Sequence, residues 1–462
     1  MNFKTKYIGD RAFYRTLFAL VLPLVIQQGI TNFVSLLDNL MVGGLGHLDM
    51  SGVSIVNQCI FVFNLTIFGG LSGISIFGTQ FYGKGDWKGM RDAFRCKLWF
   101  SLAAGVIAIT VFTLWGDSLV SLFLTSESNT PEDIAVTLEA ARSYFTLALI
   151  GLIPFALVQT YAGTLRETGE TVIPMTAGIL AILLNLFFNY VLIYGKLGFP
   201  KLEVAGAAIA TVIARFAELA YVVFRTHKGR STFRFVEGVF RSVKVPRTLV
   251  KKILVTGTPL LVNEVLWSVG QTFINQNYST RGIVVIASTN IAATVWNLFC
   301  VIMFAMGSAV AILVGQKLGA GDREGAIDTD RKLIFFTVAS HIVVGLLLAV
   351  SAPFIPLLYD VEHEVRALAT RFLLISALAA PVHAYIHVVY FTIRSGGKTF
   401  VTFLFDSVYT WVVPVTVSFI LCRLTAWPIT AIYMAVQFSD VVKIAIGVPL
   451  LNSGFWANRI VD

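Results

Sequence analysis

"QFYGKGDWKGMRD" at residues 80–92 and "QKLGAGDREGAID" at 316–328 carry the same residues at the same spacing: one Gln, three Gly and two Asp. Each matched pair is separated by 236 residues. The same shift lays Pro23 of "LPLVIQ" on Pro259 of "TPLLVN", and a shift of 228 lays "LRETGET" (165–171) on "IRSGGKT" (393–399). A fixed offset of this length means that the chain is two copies of one unit.

Composition says what kind of unit it is. With 56% hydrophobic residues, 13% charged residues and a mean hydropathy of +0.78, the 462-residue chain cannot form an ordinary water-soluble surface. Apolar runs long enough for helices of about 20 residues recur throughout. In hydrocarbon every backbone N–H and C=O must be satisfied within the segment, so these runs read as helices. The expected architecture is an all-α integral membrane protein with twelve transmembrane helices, near 16–42, 52–80, 98–124, 140–165, 172–194, 204–224, 253–277, 284–316, 333–358, 367–393, 400–422 and 428–450. Six helices per copy is an even number. Both copies therefore enter the membrane in the same direction, forming two pseudo-symmetric six-helix bundles about an axis along the membrane normal. Residues 1–230 form the expected N-terminal lobe, 231–252 a basic linker and 253–462 the C-terminal lobe.

Charge sets orientation. With the N-terminus inside, 26 of the 35 Lys and Arg fall in inner loops, nine of them between Arg225 and Lys252. Basic residues are retained on the cytoplasmic side, so both termini are expected there, in the cell membrane. The net charge of +9 is thus a topology signal and a contact with anionic lipid, with no reason to invoke nucleic acid. The basic, then apolar, start lacks a small-residue cleavage site and reads as a retained first span. Cys59, Cys96, Cys300 and Cys422 are scattered, which indicates neither a disulfide framework nor a zinc site. The glycine-rich repeats follow no strand and lack the Walker spacing, so they read as tight turns between helices.

The duplication also picks out a helix face. Gln28, Asn32, Ser35 and Asn39 recur at steps of four, three and four, and Glu264, Ser268, Gln271 and Asn275 occupy the shifted positions. Such a stripe faces a shared, water-accessible interior or holds helices together by hydrogen bonds. Asp38, which shifts onto Ile274, has no counterpart and no basic neighbour in its span. An intramembrane carboxylate of that kind must titrate, bind a cation or sit in water. Arg215 with Glu218, and Asp440 with Lys443, lie three residues apart on their helices and read as structural pairs. Pro23 and Pro259, like Pro154, Pro381 and Pro414, interrupt spans and are expected to kink them.

"LVLPLVIQQGITNFVSLLDNLMVGGLG", the paired Gln-x-x-Gly-x-Gly-Asp turns, "NLFFNYVLIYG" and "GAAIATVIARF" together resemble the multidrug and toxic compound extrusion (MATE) transporters across nearly the whole chain. The resemblance implies two six-helix lobes in a V around a central cavity, exporting substrate against an inward flow of H+ or Na+. It also implies that Asp38, Asn185, Asn189 and Thr211 form the cation-coupling site of the N-terminal lobe. Many relatives carry an Asp where this chain has Asn189, so Asp38 is left as the anionic ligand of that set. A carboxylate with amide and hydroxyl oxygens can hold Na+ or exchange a proton, and the sequence does not choose.

The second copy departs further from the relatives. Many have a glutamate where this chain has Trp267, with Glu264 one turn earlier, and some have an aspartate where His383 stands. His383 and His387, at i and i+4, lack the glutamate of H-E-x-x-H and any third ligand, which speaks against zinc. They remain candidates for hydrogen bonding or proton coupling. Asp406, seven residues after Thr399, is a further cavity candidate, along with Gln28, Asn32, Ser35, Glu264, Ser268 and Gln271. No cofactor is expected beyond Na+ as a coupling ion, and the partners are a small-molecule substrate and lipid, with the chain acting as a monomer. No nucleophile with its base and no metal triad lies within the spans, so an enzyme is not expected. Two alternatives stay open: a lipid-linked saccharide flippase, which calls for a strongly basic cavity, and an exporter of one defined metabolite.

Overall fold

The computed structural model describes residues 6–43, 47–121, 131–359 and 361–461, with the backbone alone at 33–40, 42, 43 and 47. Among the described residues all regular structure is helical, and twelve helices are long and apolar enough to cross a membrane. The helices are α1 (Arg11–Gly43), α2 (His47–Lys84), α3 (Trp87–Ser121), α4 (Pro131–Glu167, with a 3-10 turn at Leu149–Gly151), α5 (Val172–Tyr194) and α6 (Glu203–Lys228). After two short turns, at Arg234–Val236 and Val239–Arg241, come α7 (Arg247–Ser279), α8 (283–319), α9 (Arg323–Ser351), α10 (His363–Ser395), α11 (Thr399–Leu424) and α12 (Ile429–Asn452).

Several helices overrun the apolar runs that predict them by a turn or more, because main-chain hydrogen bonding continues after the side chains turn polar. The eighth span is not the single helix expected over 284–316. It is two pieces, Ile283–Phe299 and Val301–Gly319, joined at Cys300. The ninth ends at Ser351, short of the expected 358, where Pro353 and Pro356 withdraw backbone donors. Pro23, Pro259 and Pro381 lie inside helices that run on through them, and Pro414 falls in a π-helical turn.

The chain forms two compact units that do not follow its halves in strict order. One comprises Ile26–Gly78 and Trp87–Lys251; the other comprises everything from Lys252 onward, the chain up to Val25, and Thr79–Asp86. The first is called the N-terminal unit below and the second the C-terminal unit. In the C-terminal unit Leu17 and Val21 of α1 are buried with Met306, Val310 and Val314 of α8, Leu333 of α9 and Val388 of α10. In the N-terminal unit Val53 and Val56 of α2 pack with Ala141 and Phe145 of α4 and Ala207 and Ala208 of α6. Small residues on α6 let helices close in, and Gly206 rests against the Leu192 carbonyl of α5.

The duplicated turns meet within the C-terminal unit. A Cβ at Gly83 would strike the Gln316 carbonyl, and a Cβ at Gly319 would strike the Gln80 carbonyl, a reciprocal contact between two copies of one motif. Gly85 and Gly321 have φ of +76° and +81°, the left-handed conformation that ends α2 and α8. Gln80, fully buried, then ties the end of the chain down. Its Nε2 donates to the carbonyls of Ser395 at 3.0 Å and Asn458 at 3.1 Å, and its Oε1 accepts from Ile460 N at 2.8 Å.

Candidate functional site

In the N-terminal unit, α5 and α6 bring together three of the four residues expected at the cation-coupling site. Asn189 and Asn185 are one turn apart on α5, so their side chains stack along one face. Asn189 Nδ2 donates to Asn185 Oδ1 at 3.2 Å, Asn185 Nδ2 to Thr211 Oγ1 at 3.2 Å, and Thr211 Oγ1 to the Ala207 carbonyl at 3.1 Å. Both asparagines are buried. Asp38, with Ser35 and Asn39, lies where side chains are outside the described residues. One turn further along α1, the Met41 carbonyl accepts a 3.0 Å hydrogen bond from Tyr194 Oη at the end of α5.

The rest of the first stripe is more exposed. Gln28 Nε2 donates to Asn32 Oδ1 at 3.1 Å on the same helix, a local bond that does not itself join two helices. Its neighbour Gln27 points into the unit, accepting from Arg166 Nη2 at 3.4 Å and covering Gly178 of α5.

In the C-terminal unit the shifted residue Asn263 does the same with far more charge around it. Asn263 is buried and donates to Asp406 Oδ2 at 3.0 Å and to Tyr390 Oη at 3.4 Å. Ser407 donates to Asn263 through both its amide, at 3.2 Å, and its hydroxyl, at 2.8 Å. Tyr390 Oη donates a hydrogen bond to Glu264 Oε1 at 3.2 Å. On the far side of Asp406 lies Lys443, its Nζ 3.6 Å from Asp406 Oδ1 and 3.7 Å from Asp440 Oδ1. Asp440 Oδ2 in turn is 3.9 Å from His383 Nε2. The carboxylates Glu264, Asp406 and Asp440 are thus joined through Tyr390, Asn263 and Lys443, with His383 at the Asp440 end, across α7, α10, α11 and α12.

Two of these carboxylates stand on interrupted helices. α11 contains π-helical turns at Leu404–Val408 and Trp411–Val415, the first carrying Asp406. α12 breaks at Asp440 into Ile429–Ser439 and Val441–Asn452. Such π-helical turns, and helices interrupted in mid-membrane, concentrate at functional sites because they free backbone groups and redirect side chains.

The two histidines diverge. His383 packs edge-on against Trp296 as it approaches Asp440, whereas His387 lies among Phe304, Phe391 and the flat face of Gly307. No group of three or more His, Cys, Asp or Glu among the described residues is arranged to hold a metal ion. Ser268 and Gln271 follow Glu264 along α7, half-buried, with Gly270 against Thr410 of α11. Asp440 and Lys443 do not form the self-contained pair expected from their spacing, because the ammonium is shared with Asp406 across to α11. Arg215 and Glu218 do pair locally, at 2.8 Å. Asn263, Tyr390 and the shared Lys443 escaped the sequence reading. The signal for Asn263 was present, since it sits 236 residues from Gln27, one position before a stripe already singled out.

A family model, MatE, matches residues 23–191 and 259–420, one block in each copy of the repeat. The chain belongs to the MatE family. Members are transporters, and this MatE chain is accordingly a multi-pass membrane transporter of the multidrug efflux type. It is 23% identical over 450 residues to a probable multidrug resistance protein NorM of Thermotoga maritima, covering 97% of this chain and 94% of that one. It is 24% identical over 426 residues to a probable multidrug resistance protein YoeA of Bacillus subtilis, covering 91% and 89%. Among solved structures, a MATE in complex with MaL6 is similar with a TM-score of 0.85, 20% identity and 98% of each chain covered. A MOP superfamily transporter from Pyrococcus furiosus, whose description speaks of a binding pocket of reverse polarity, is similar with a TM-score of 0.85, 20% identity and 97% of each chain covered. At these identities the solved structures establish the fold of this MatE chain.

Proposed function

We propose that this MatE protein exports amphipathic or cationic drugs or toxic metabolites by alternating access, in exchange for H+ or Na+ entering from outside. The observation that carries the reading is the buried chain of hydrogen bonds from Asn189 through Asn185 to Thr211 inside an otherwise apolar bundle. Polar groups in a span are costly and mark ion or substrate paths. Asp38 supplies the negative charge of that site, and its neutralisation by H+ or Na+ disfavours the substrate-bound state, as reciprocal coupling requires. Substrate class follows the multidrug resistance names of the relatives and the carboxylates Glu264 and Asp406, which attract cationic solutes. The distribution of Lys and Arg supports both termini in the cytoplasm.

The test is efflux from proteoliposomes loaded with a panel of cationic dyes, with pH and Na+ gradients imposed in turn. Wild-type protein is expected to respond to one of the gradients and the Asp38→Asn variant to neither. Unchanged gradient-driven efflux in Asp38→Asn would overturn the assignment.

A further inference from the structure

Lys443 is 3% exposed in the middle of a span, where an ammonium ion is costly to place. Among the described residues its ammonium has no acceptor at hydrogen-bond distance. Charge-assisted hydrogen bonds run to about 2.7–2.9 Å, whereas its Nζ stands at near-equal distances of 3.6 and 3.7 Å from Asp406 and Asp440. The rings of Tyr409 and Phe405 lie 4.9 and 5.8 Å from the same nitrogen. This is how an ion is held by a surrounding field, rather than how a donor is held by an acceptor.

We propose that Lys443 is a tethered cation: its ammonium fills, and keeps closed, an alkali-metal ion site formed by Asp406 on α11 and Asp440 at the break in α12. The backbone around it has the form of an ion site. Asp406 projects from a π-helical turn, and the break in α12 leaves the Ser439 carbonyl there, accepting from Tyr409 Oη at 2.6 Å. Oxygen donors of this kind suit a small hard cation such as Na+. The repeat supplies an independent argument. The 228-residue shift lays Lys443 on Arg215 and Asp406 on Gly178. In the first copy the cation answers a carboxylate three residues along its own helix, and no carboxylate stands at position 178. The second copy adds a carboxylate on a neighbouring helix, and the cation is shared between it and Asp440.

The other charged or titratable groups around the ammonium are His383 from α10, 3.9 Å from Asp440, and, beyond Asn263, Glu264 of α7 with Tyr390 and Arg394 of α10. His383 approaches Asp440, and Glu264 and Tyr390 connect to Asp406 through Asn263, whereas the ammonium contacts both aspartates. Removing the ammonium leaves the Asp406 and Asp440 carboxylates, 3.6 and 3.7 Å from its position, without the cation they share, an arrangement that demands a counter-ion.

The experiment measures equilibrium binding of 22Na+ to purified protein in lipid nanodiscs, in an Asp38→Asn background so that the coupling reading above stands or falls separately. The parent is expected to bind little Na+. Lys443→Met, of similar length and uncharged, is expected to gain one saturable Na+ site with at least tenfold higher affinity. Adding Asp406→Asn is expected to abolish the gain. If Lys443→Met is unstable, its melting temperature is expected to rise with NaCl and not with choline chloride at the same ionic strength, and Lys443→Gln is expected to behave alike. A folded Lys443→Met without a gain in Na+ affinity, a gain that survives Asp406→Asn, or an unstable variant that Na+ fails to restore would each overturn the proposal.

Discussion

At the scale of single residues, the clearest energetic commitment outside the candidate sites is the pair Lys97 and Glu167. They sit 1% and 4% exposed between α3 and α4, with Lys97 Nζ bonded to the Glu167 carboxylate and, at 3.1 Å, to Thr164 Oγ1. Removing one partner of a buried pair strands the other charge, at about 3–5 kcal/mol, whereas replacing both with apolar groups is nearly neutral. Lys97→Met alone should therefore lower the melting temperature in detergent strongly, and Lys97→Met with Glu167→Leu should recover most of the loss. Equal losses in the single and double variants would contradict this account. Spacing along a helix finds pairs of this kind only when both members share the helix, which is why Arg215 and Glu218 were legible in sequence. Lys97 and Glu167 were not, and Lys443 was assigned to Asp440 alone for the same reason.

At the scale of elements, the start of α9 shows how a repeated turn is sealed. Asp322 caps the helix by accepting from Gly325 N at 2.8 Å and pairs with Lys317 at 3.1 Å. The backbone hydrogen bond from Gly325, followed by the Lys317 ammonium, holds its carboxyl below the usual aspartate range. A depressed carboxyl contributes stability that is present above its ordinary value near 4 and is lost as pH falls through the folded value. Asp322→Ala is expected to cost about 1 kcal/mol at pH 7. The difference in melting temperature between wild type and Asp322→Ala should shrink as the pH is taken from 6 to 3, and a gap that widens on acidification would refute it. The cap could be read from sequence as an Asp before a helix. The π-helical turns of α11 and the breaks in α8 and α12 could not, because hydropathy reports the length of a span and says nothing of its internal hydrogen-bond register.

At the scale of the whole molecule, the repeat and the charge distribution lead to the same prediction. Green fluorescent protein fused after residue 462 should fluoresce and alkaline phosphatase fused there should be inactive, since both termini are proposed to face the cytoplasm. Active phosphatase would reverse the orientation. The two units themselves cut across chain order, with α1 divided between Val25 and Ile26 and the turn Thr79–Asp86 assigned with the C-terminal unit. The first half of α1 packs through Leu17 and Val21 on α8, α9 and α10, and the turn is held by the reciprocal contact of Gly83 with Gln316 and Gly319 with Gln80. Sequence comparison detects these glycines as a repeated pattern, and only packing shows that each copy of the pattern rests on the other.

The sequence by itself determined the membrane class, the number of spans and the duplication, because each follows from local composition and fixed spacing. The grouping of Asn185, Asn189 and Thr211 came from the resemblance to the MATE transporters, and one helical turn plus one helix contact brings those three side chains together. Tertiary structure alone decided which charges meet in the second copy. Asn263, Asp406, Lys443, Asp440 and His383 come from four helices, and their distances depend on π-helical turns and helix breaks that leave no periodic trace in the chain.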